Sequence, residues 1–167
     1  MREIAVDTSF NHVFVQFHII SLNTAYLVML DASSGQELGS HSWNNVQVPR
    51  RAGEPSVGTD GTIYIGMNTT LYALNPNSDL STKWSKDFIY SYIQASPTVG
   101  RNRLYIDHYN SAGSDYAISS INPQNGDIVW QDIFNLAGAD DQPSGNMLIV
   151  FCFRRKWSFP RRDVVVY

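Results

Sequence analysis

Ser120-Ile121-Asn122-Pro123-Gln124-Asn125-Gly126-Asp127-Ile128-Val129-Trp130 is the stretch that decides the architecture. An apolar run ends at Ile121, a turn of Asn, Pro and Gly follows, and β-branched Ile128 and Val129 lead into a tryptophan. Asn bonds its own downstream backbone, Pro presets φ and Gly accepts positive φ, so the segment reads as strand, turn, strand. The same order recurs upstream. Trp84 and Trp43 precede Trp130 at spacings of 46 and then 41 residues. Each follows its own polar segment, Asn75-Pro76-Asn77-Ser78-Asp79 and Asp31-Ala32-Ser33-Ser34-Gly35. Before these lie the apolar pieces Leu71-Tyr72-Ala73-Leu74 and Tyr26-Leu27-Val28-Met29-Leu30.

Two further markers keep the same order. Pro55-Ser56-Val57-Gly58 and Pro97-Thr98-Val99-Gly100 stand 42 residues apart, and Pro143-Ser144-Gly145 is read as a third copy. His12-Val13-Phe14-Val15 is matched by Thr62-Ile63-Tyr64-Ile65, Arg103-Leu104-Tyr105-Ile106 and Met147-Leu148-Ile149-Val150. Three markers with one period near 42 define a repeat.

Each unit reads as four short strands. In the middle copy these are residues 54–58, 62–67, 71–74 and 82–88, with a Thr59-Asp60-Gly61 hairpin turn between the first two. Ile63, Ile65 and Met67 alternate with Tyr64 and Gly66, which predicts one buried face per sheet. Residues 13–30 lack Asp, Glu, Lys and Arg, yet polar interruptions and β-branched residues make a hairpin turning at Ser21-Leu22-Asn23-Thr24 the better reading than a membrane span. No segment carries a capped helical stripe. The expectation is an all-β chain, a partial β-propeller of four-stranded antiparallel blades at about 4–44, 54–88 and 95–134, with part of a fourth at 139–153.

Residues 120–130 resemble the tryptophan-docking motif of the pyrroloquinoline-quinone-type, or quinoprotein-like, β-propeller repeat family: a small residue, Asp or Asn, Gly, three residues and Trp. Pro55 to Gly66 looks like the first two strands of that family's blade. The resemblance covers residues 4–150. The third copy matches in register at Asn122, Gly126 and Trp130. The second copy has one extra residue and puts Asp79 at the glycine position, while the first has four extra residues between Gly35 and Trp43. WD40 and kelch signatures do not fit. In the family the outer-strand ring docks between blades over the turn of the next motif. The resemblance therefore implies structural docking roles for Trp43, Trp84 and Trp130, with Asp31, Asn75, Asn122, Gly35 and Gly126 shaping the turns.

Quinoprotein dehydrogenases of this superfamily hold PQQ and calcium in the axial channel of an eight-bladed ring, beneath a disulfide of adjacent cysteines. Cys152 is the single cysteine here, and about three and a half blades cannot enclose that channel. No catalytic residue, metal site or cofactor is expected. A fragment of a PQQ-dependent dehydrogenase is the alternative, and a truncated product without independent function is a third reading. His12 and His18 are too far apart for one metal without a bend, and His41 and His108 read as surface or loop residues. Asp140 and Asp141 read as a solvated loop. Asn68-Thr69-Thr70 is a glycosylation sequon, of consequence only in a secretory pathway.

Charged residues are 16% of the chain and the net charge is −3, which gives no reason to expect nucleic acid. Residues 154–167 depart from the repeat and hold five of the 12 basic residues against one of the 15 acidic ones. They read as a basic non-repeat tail where the repeat is cut mid-blade. The expected role is a non-catalytic protein-binding or scaffold module, a fragment of a larger repeat protein, with a protein partner or self-association through open blade edges. Loop tips at Asn44-Asn45, Tyr90-Ser91-Tyr92 and His108-Tyr109-Asn110 are candidate contacts. The acids of Met1-Arg2-Glu3-Ile4-Ala5-Val6-Asp7 leave no signal peptide to read, and the compartment stays unknown although most family members work in the periplasm, outside the cell or in a lumen.

Overall fold

The computed structural model describes residues 2–7, 11–46, 54–88, 91–93, 96–110 and 115–135. Among them every regular element is a strand except one 3-10 turn, Ile20–Leu22. The first sheet runs β1 (Arg2–Asp7), β2 (His12–Ile19), β3 (Thr24–Asp31) and β4 (Glu37–Trp43) in spatial as in chain order. The second runs β5 (Ser56–Val57), β6 (Ile63–Met67), β7 (Thr70–Leu74) and β8 (Thr82–Asp87). The third runs β10 (Thr98–Val99), β11 (Leu104–Asn110), β12 (Asp115–Ile121) and β13 (Ile128–Asn135), and β9 (Ser91–Ile93) also pairs with β11. All pairings are antiparallel. Neighbouring sheets approach one another through β1 and β5, through β5 and β10, and through β9 against β6 and β7, so the sheets stack side by side as blades of a partial β-propeller.

The repeat shows itself in one irregularity. Each third-to-fourth strand ladder carries a bulge at the same place. Leu30 pairs with Glu37 and Met29 with Gly39; Leu74 pairs with Thr82 and Ala73 with Trp84; Ile121 pairs with Ile128 and Ser120 with Trp130. Leu38, Lys83 and Val129 are the unpaired residues, and a bulge there sharpens the twist of each outer strand.

Packing lies between the blades. Phe14, Leu27, Met29 and Trp43 of the first sheet meet Ile63, Ile65, Met67 and Leu74 of the second. The opposite face of the second sheet, Tyr64, Leu71 and Ala73, meets Ile93, Leu104, Ile106 and Ile121 of the third. This corrects the expectation of one buried face. All five residues of β6 are buried, because a blade with two neighbours sends its alternate residues into two separate cores. Gly66 is small for this reason: a Cβ there would lie 2.5 Å from the Ile93 side chain.

Two expected loop tips are strand. Ser91 and Tyr92 belong to β9, which pairs with residues 108–110 of β11, so the third blade begins before residue 95. β9 and β10 share one edge of β11 as the halves of an interrupted inner strand. Pro97, which has no N–H to give a ladder, lies at the interruption. His108 is not a surface residue but 3% exposed, inside β11. Tyr90, Asp140, Asp141, the fourth-blade segment 139–153, Cys152 and the basic tail 154–167 lie outside the described residues.

Candidate functional site

The site with the most developed geometry is the contact between the second and third blades. Asn122 to Gly126 closes a turn in which Asn122 N–H donates to Asp127 O at 2.8 Å and Gly126 N–H to Asn122 O at 2.9 Å. Asn122 Oδ1 accepts from Gln124 N–H at 3.0 Å. Gly126 takes φ 78°, which costs other residues about 1–2 kcal/mol. These bonds turn the Pro123 carbonyl toward the second blade, where Trp84 Nε1 donates to it at 2.9 Å and Tyr64 Oη at 3.4 Å. The indole lies against Gly126, where a Cβ would sit 2.7 Å from Cε3. Burial pushes the Tyr64 hydroxyl up to about 12, with the nearby Asp60 adding to the rise.

The other two copies differ. The Asp31 turn repeats the same bonds, Asp31 N–H to Gln36 O at 2.9 Å and Gly35 N–H to Asp31 O at 2.8 Å, with Gly35 at φ 71°. Asp31 Oδ1 accepts from the Ser33 and Ser34 amides and the Ser34 hydroxyl, which holds its carboxyl below the usual range. The Asn75 turn is one residue longer. There Asn75 N–H donates to Ser81 O, and the residue with positive φ is Leu80 at 45°, not Asp79. The extra residue shifts the left-handed position by one, and the Leu80 side chain is fully buried between the first two blades.

Trp43 does not share the ladder position of Trp84 and Trp130. It pairs with Ala25, four residues further along, and Gly39 stands where the other blades have tryptophan. The four extra residues before Trp43 account for the displacement. A Cβ on Gly39 would collide with the Ser78 carbonyl, so backbone fills the space an indole takes elsewhere. Trp43 is 8% exposed and packs on His41 at 4.5 Å and Tyr72 at 5.5 Å between centroids, and among the described residues its Nε1 meets no acceptor. Trp130 is 47% exposed and rests on Tyr105 at 6.1 Å.

A feature missed from the sequence is the outward face of the first blade. Register aligns Val13 with Leu30, Val15 with Val28 and Phe17 with Tyr26, and sets Ile4 beside Val15 and Val6 beside Val13. Phe17 and Tyr26 stack at 5.3 Å. Ile4 and Val6 are 62% and 59% exposed. The signal was the unbroken apolar run from Val13 to Val15 and from Tyr26 to Leu30, which marks strands apolar on both faces.

Among the described residues no group of three or more His, Cys, Asp or Glu is placed to hold a metal. His12 and His18 share a face of an uninterrupted β2 with Phe14 between them. His108 Nε2 lies 3.0 Å from Ser119 Oγ and 3.4 Å from Gln131 Nε2, and burial lowers its pKa to about 4. The PQQ reading needs adjacent cysteines, and these 167 residues have one.

Among the described residues three antiparallel blades that share one bulge position and pack through common cores define the class as an all-β propeller-repeat protein. Over residues 23–146 the chain matches the family model described as outer membrane protein assembly factor BamB, and it belongs to that PQQ-like repeat family. No curated protein matches it significantly.

Proposed function

We propose that this chain is a non-catalytic protein-binding or scaffold module whose working surface is the outward face of the first blade. The observation that carries the reading is the row of Ile4, Val6, Val13, Val15, Phe17, Tyr26, Val28 and Leu30 on one sheet face, with Ile4 and Val6 more than half exposed. An apolar patch of this extent marks a surface made for protein contact. The family model's description names an assembly factor, which agrees with a role in holding other proteins. Among the described residues no helix is long and apolar enough to cross a membrane.

In this reading blades of about 4–44, 54–88 and 95–134 form the repeat region, the third extended back to β9. Trp84 acts as a docking residue on the turn of Asn122 and Gly126, and Trp43 acts as a core residue of the first contact. Asp31, Gly35 and Asn75 shape the other two turns. The test is a photo-crosslinking residue placed at Val6 of the full chain in its native cells. A discrete adduct with a polypeptide, lost when Ile4 is changed to Glu, is expected. Absence of any adduct at Val6 overturns the reading.

A further inference from the structure

Asn125-Gly126 is the one Asn-Gly pair in the sequence, and it lies in the turn on which Trp84 docks. Asparagine before glycine is the pair most open to deamidation, because glycine has no side chain to hinder attack of its own nitrogen on the asparagine amide carbon. The dock itself demands the glycine. Position 126 holds φ 78° and faces the indole, where a Cβ would sit 2.7 Å from Cε3. The other two turns put Ser34 before Gly35 and Asp79 before Leu80, so neither offers an asparagine to the same chemistry.

Three bonds restrain the reacting groups. Gly126 N–H donates to Asn122 O at 2.9 Å, which engages the proton that the attacking nitrogen must lose. The Asn125 amide is clamped on Asp127: its Oδ1 accepts from the Asp127 N–H at 3.1 Å, and its Nδ2 donates to Asp127 Oδ2 at 2.6 Å. Asn125 is exposed but Gly126 is buried, so base in the solvent reaches the amide side chain and not the nitrogen beside it. Trp84 braces the whole turn, with its Nε1 on the Pro123 carbonyl and its ring over Gly126.

We infer that Asn125 is a deamidation site that docking of Trp84 keeps latent, and that its reaction breaks the dock irreversibly. When the turn opens, solvent base takes the Gly126 N–H proton and the nitrogen bonds to Asn125 Cγ. Nδ2 takes up a proton and leaves as ammonia. Water then opens the cyclic imide at either carbonyl, leaving Asp or isoAsp at position 125. The Asp product puts a carboxylate oxygen where Nδ2 donated to Asp127 Oδ2, and like charges at that distance repel. The isoAsp product routes the main chain through the former side chain, which adds a carbon to a turn closed between Asn122 O and Gly126 N–H.

The test follows Asn125 by peptide mapping and mass spectrometry while the full chain is incubated at mildly alkaline pH. The folded chain is expected to convert at least about 100-fold more slowly than the same chain unfolded in urea, the factor that an opening free energy of about 2.8 kcal/mol implies. Trp84→Ala is expected to bring the rate to within about tenfold of the unfolded chain, whereas Leu80→Ala, which weakens the contact between the first two blades, leaves it near that of the unaltered chain. Circular dichroism and urea midpoints check that both variants fold. If either does not, the milder pair Trp84→Phe and Ile63→Val replaces them, with a rise of about fivefold expected for the first, the equivalent of one lost hydrogen bond, and none for the second. Asn125→Asp, which is the Asp product made directly, is expected to speed hydrogen exchange of the Trp84 indole N–H by at least about tenfold. Equal rates in the folded and unfolded chain overturn the inference. So does a rise in Leu80→Ala or Ile63→Val that matches its Trp84 counterpart, or an Asn125→Asp chain whose indole exchanges as slowly as that of the unaltered one.

Discussion

The Nε1 of Trp84 donates to the carbonyl oxygen of Pro123 at 2.9 Å, across 39 residues of chain and from one blade to the next. The ring supplies apolar area and the N–H finds an acceptor in the turn, so one side chain meets both requirements of a partly buried indole. Phe and Ala at position 84 separate the two contributions. Trp84→Ala is expected to destabilise the chain by about 3–5 kcal/mol. Trp84→Phe keeps much of the apolar contact and leaves the Pro123 carbonyl one donor short, with an added cost of about 1 kcal/mol for the hydrogen bond. Urea unfolding of both variants checks this. Equal losses would show that the hydrogen bond, not the ring, carries the contact.

Gly126 and Gly35 adopt the same left-handed conformation in equivalent turns, but their surroundings differ. Gly35→Ala meets only the backbone penalty, about 1–2 kcal/mol. Gly126→Ala meets that penalty and overpacks the Trp84 ring, which adds about 1–3 kcal/mol. Combining Gly126→Ala with Trp84→Ala should cost less than the two losses added, because the methyl then enters space the indole has left. Thermal unfolding of the four proteins measures the difference, and a Gly35→Ala loss as large as that of Gly126→Ala contradicts the packing argument.

Much of this arrangement was legible as spacing. The period near 42 and the turn chemistry located all three outer strands, because a four-stranded meander needs short connections and each turn advertises itself with Asn, Asp, Pro or Gly. What spacing hid was register. The interval of 41 residues between Trp43 and Trp84 looks regular, yet the equivalent ladder positions, Gly39 and Trp84, are 45 residues apart and Trp43 stands four residues beyond Gly39. Only the ladder reveals that Gly39, not Trp43, is the counterpart of Trp84. The inner strand of the third blade was missed for a related reason. Ser91–Ile93 is short and lies before Pro97, and its partner is the far end of β11, which nothing local announces.

Leu80 tests how burial outweighs backbone strain. Its φ of 45° would be relieved by glycine, yet its side chain fills the core between the first two blades. Leu80→Ala keeps the strain and loses the side chain, costing about 2–5 kcal/mol. Leu80→Gly loses the side chain but recovers about 1 kcal/mol or more of strain. The expected order of stability is therefore Leu, then Gly, then Ala, the reverse of the Ala–Gly order in ordinary strand positions. Chemical denaturation of the three proteins decides it, and Ala more stable than Gly would mean that the backbone relaxes away from positive φ.

His108 sets an acid limit on the third blade. It is enclosed by Phe88, with ring centroids 4.8 Å apart, by Ser119 and by Gln131, and burial lowers its pKa from 6.5 to about 4. Between those two values the unfolded chain binds a proton that the folded chain refuses. Stability therefore falls as pH drops from about 6.5 toward 4, by at most about 1.4 kcal/mol per pH unit from this group, and the effect ends below about 4, where both states are protonated. Above pH 6.5 the group is neutral in both states and contributes no slope. His108→Gln retains hydrogen-bonding atoms near Ser119 and cannot titrate, so the difference in unfolding free energy between it and the unaltered chain should shift in its favour as pH falls from 6.5 to 4.5. A difference that stays constant over that window would show that His108 is protonated within the folded blade, and that its neighbours accommodate the charge.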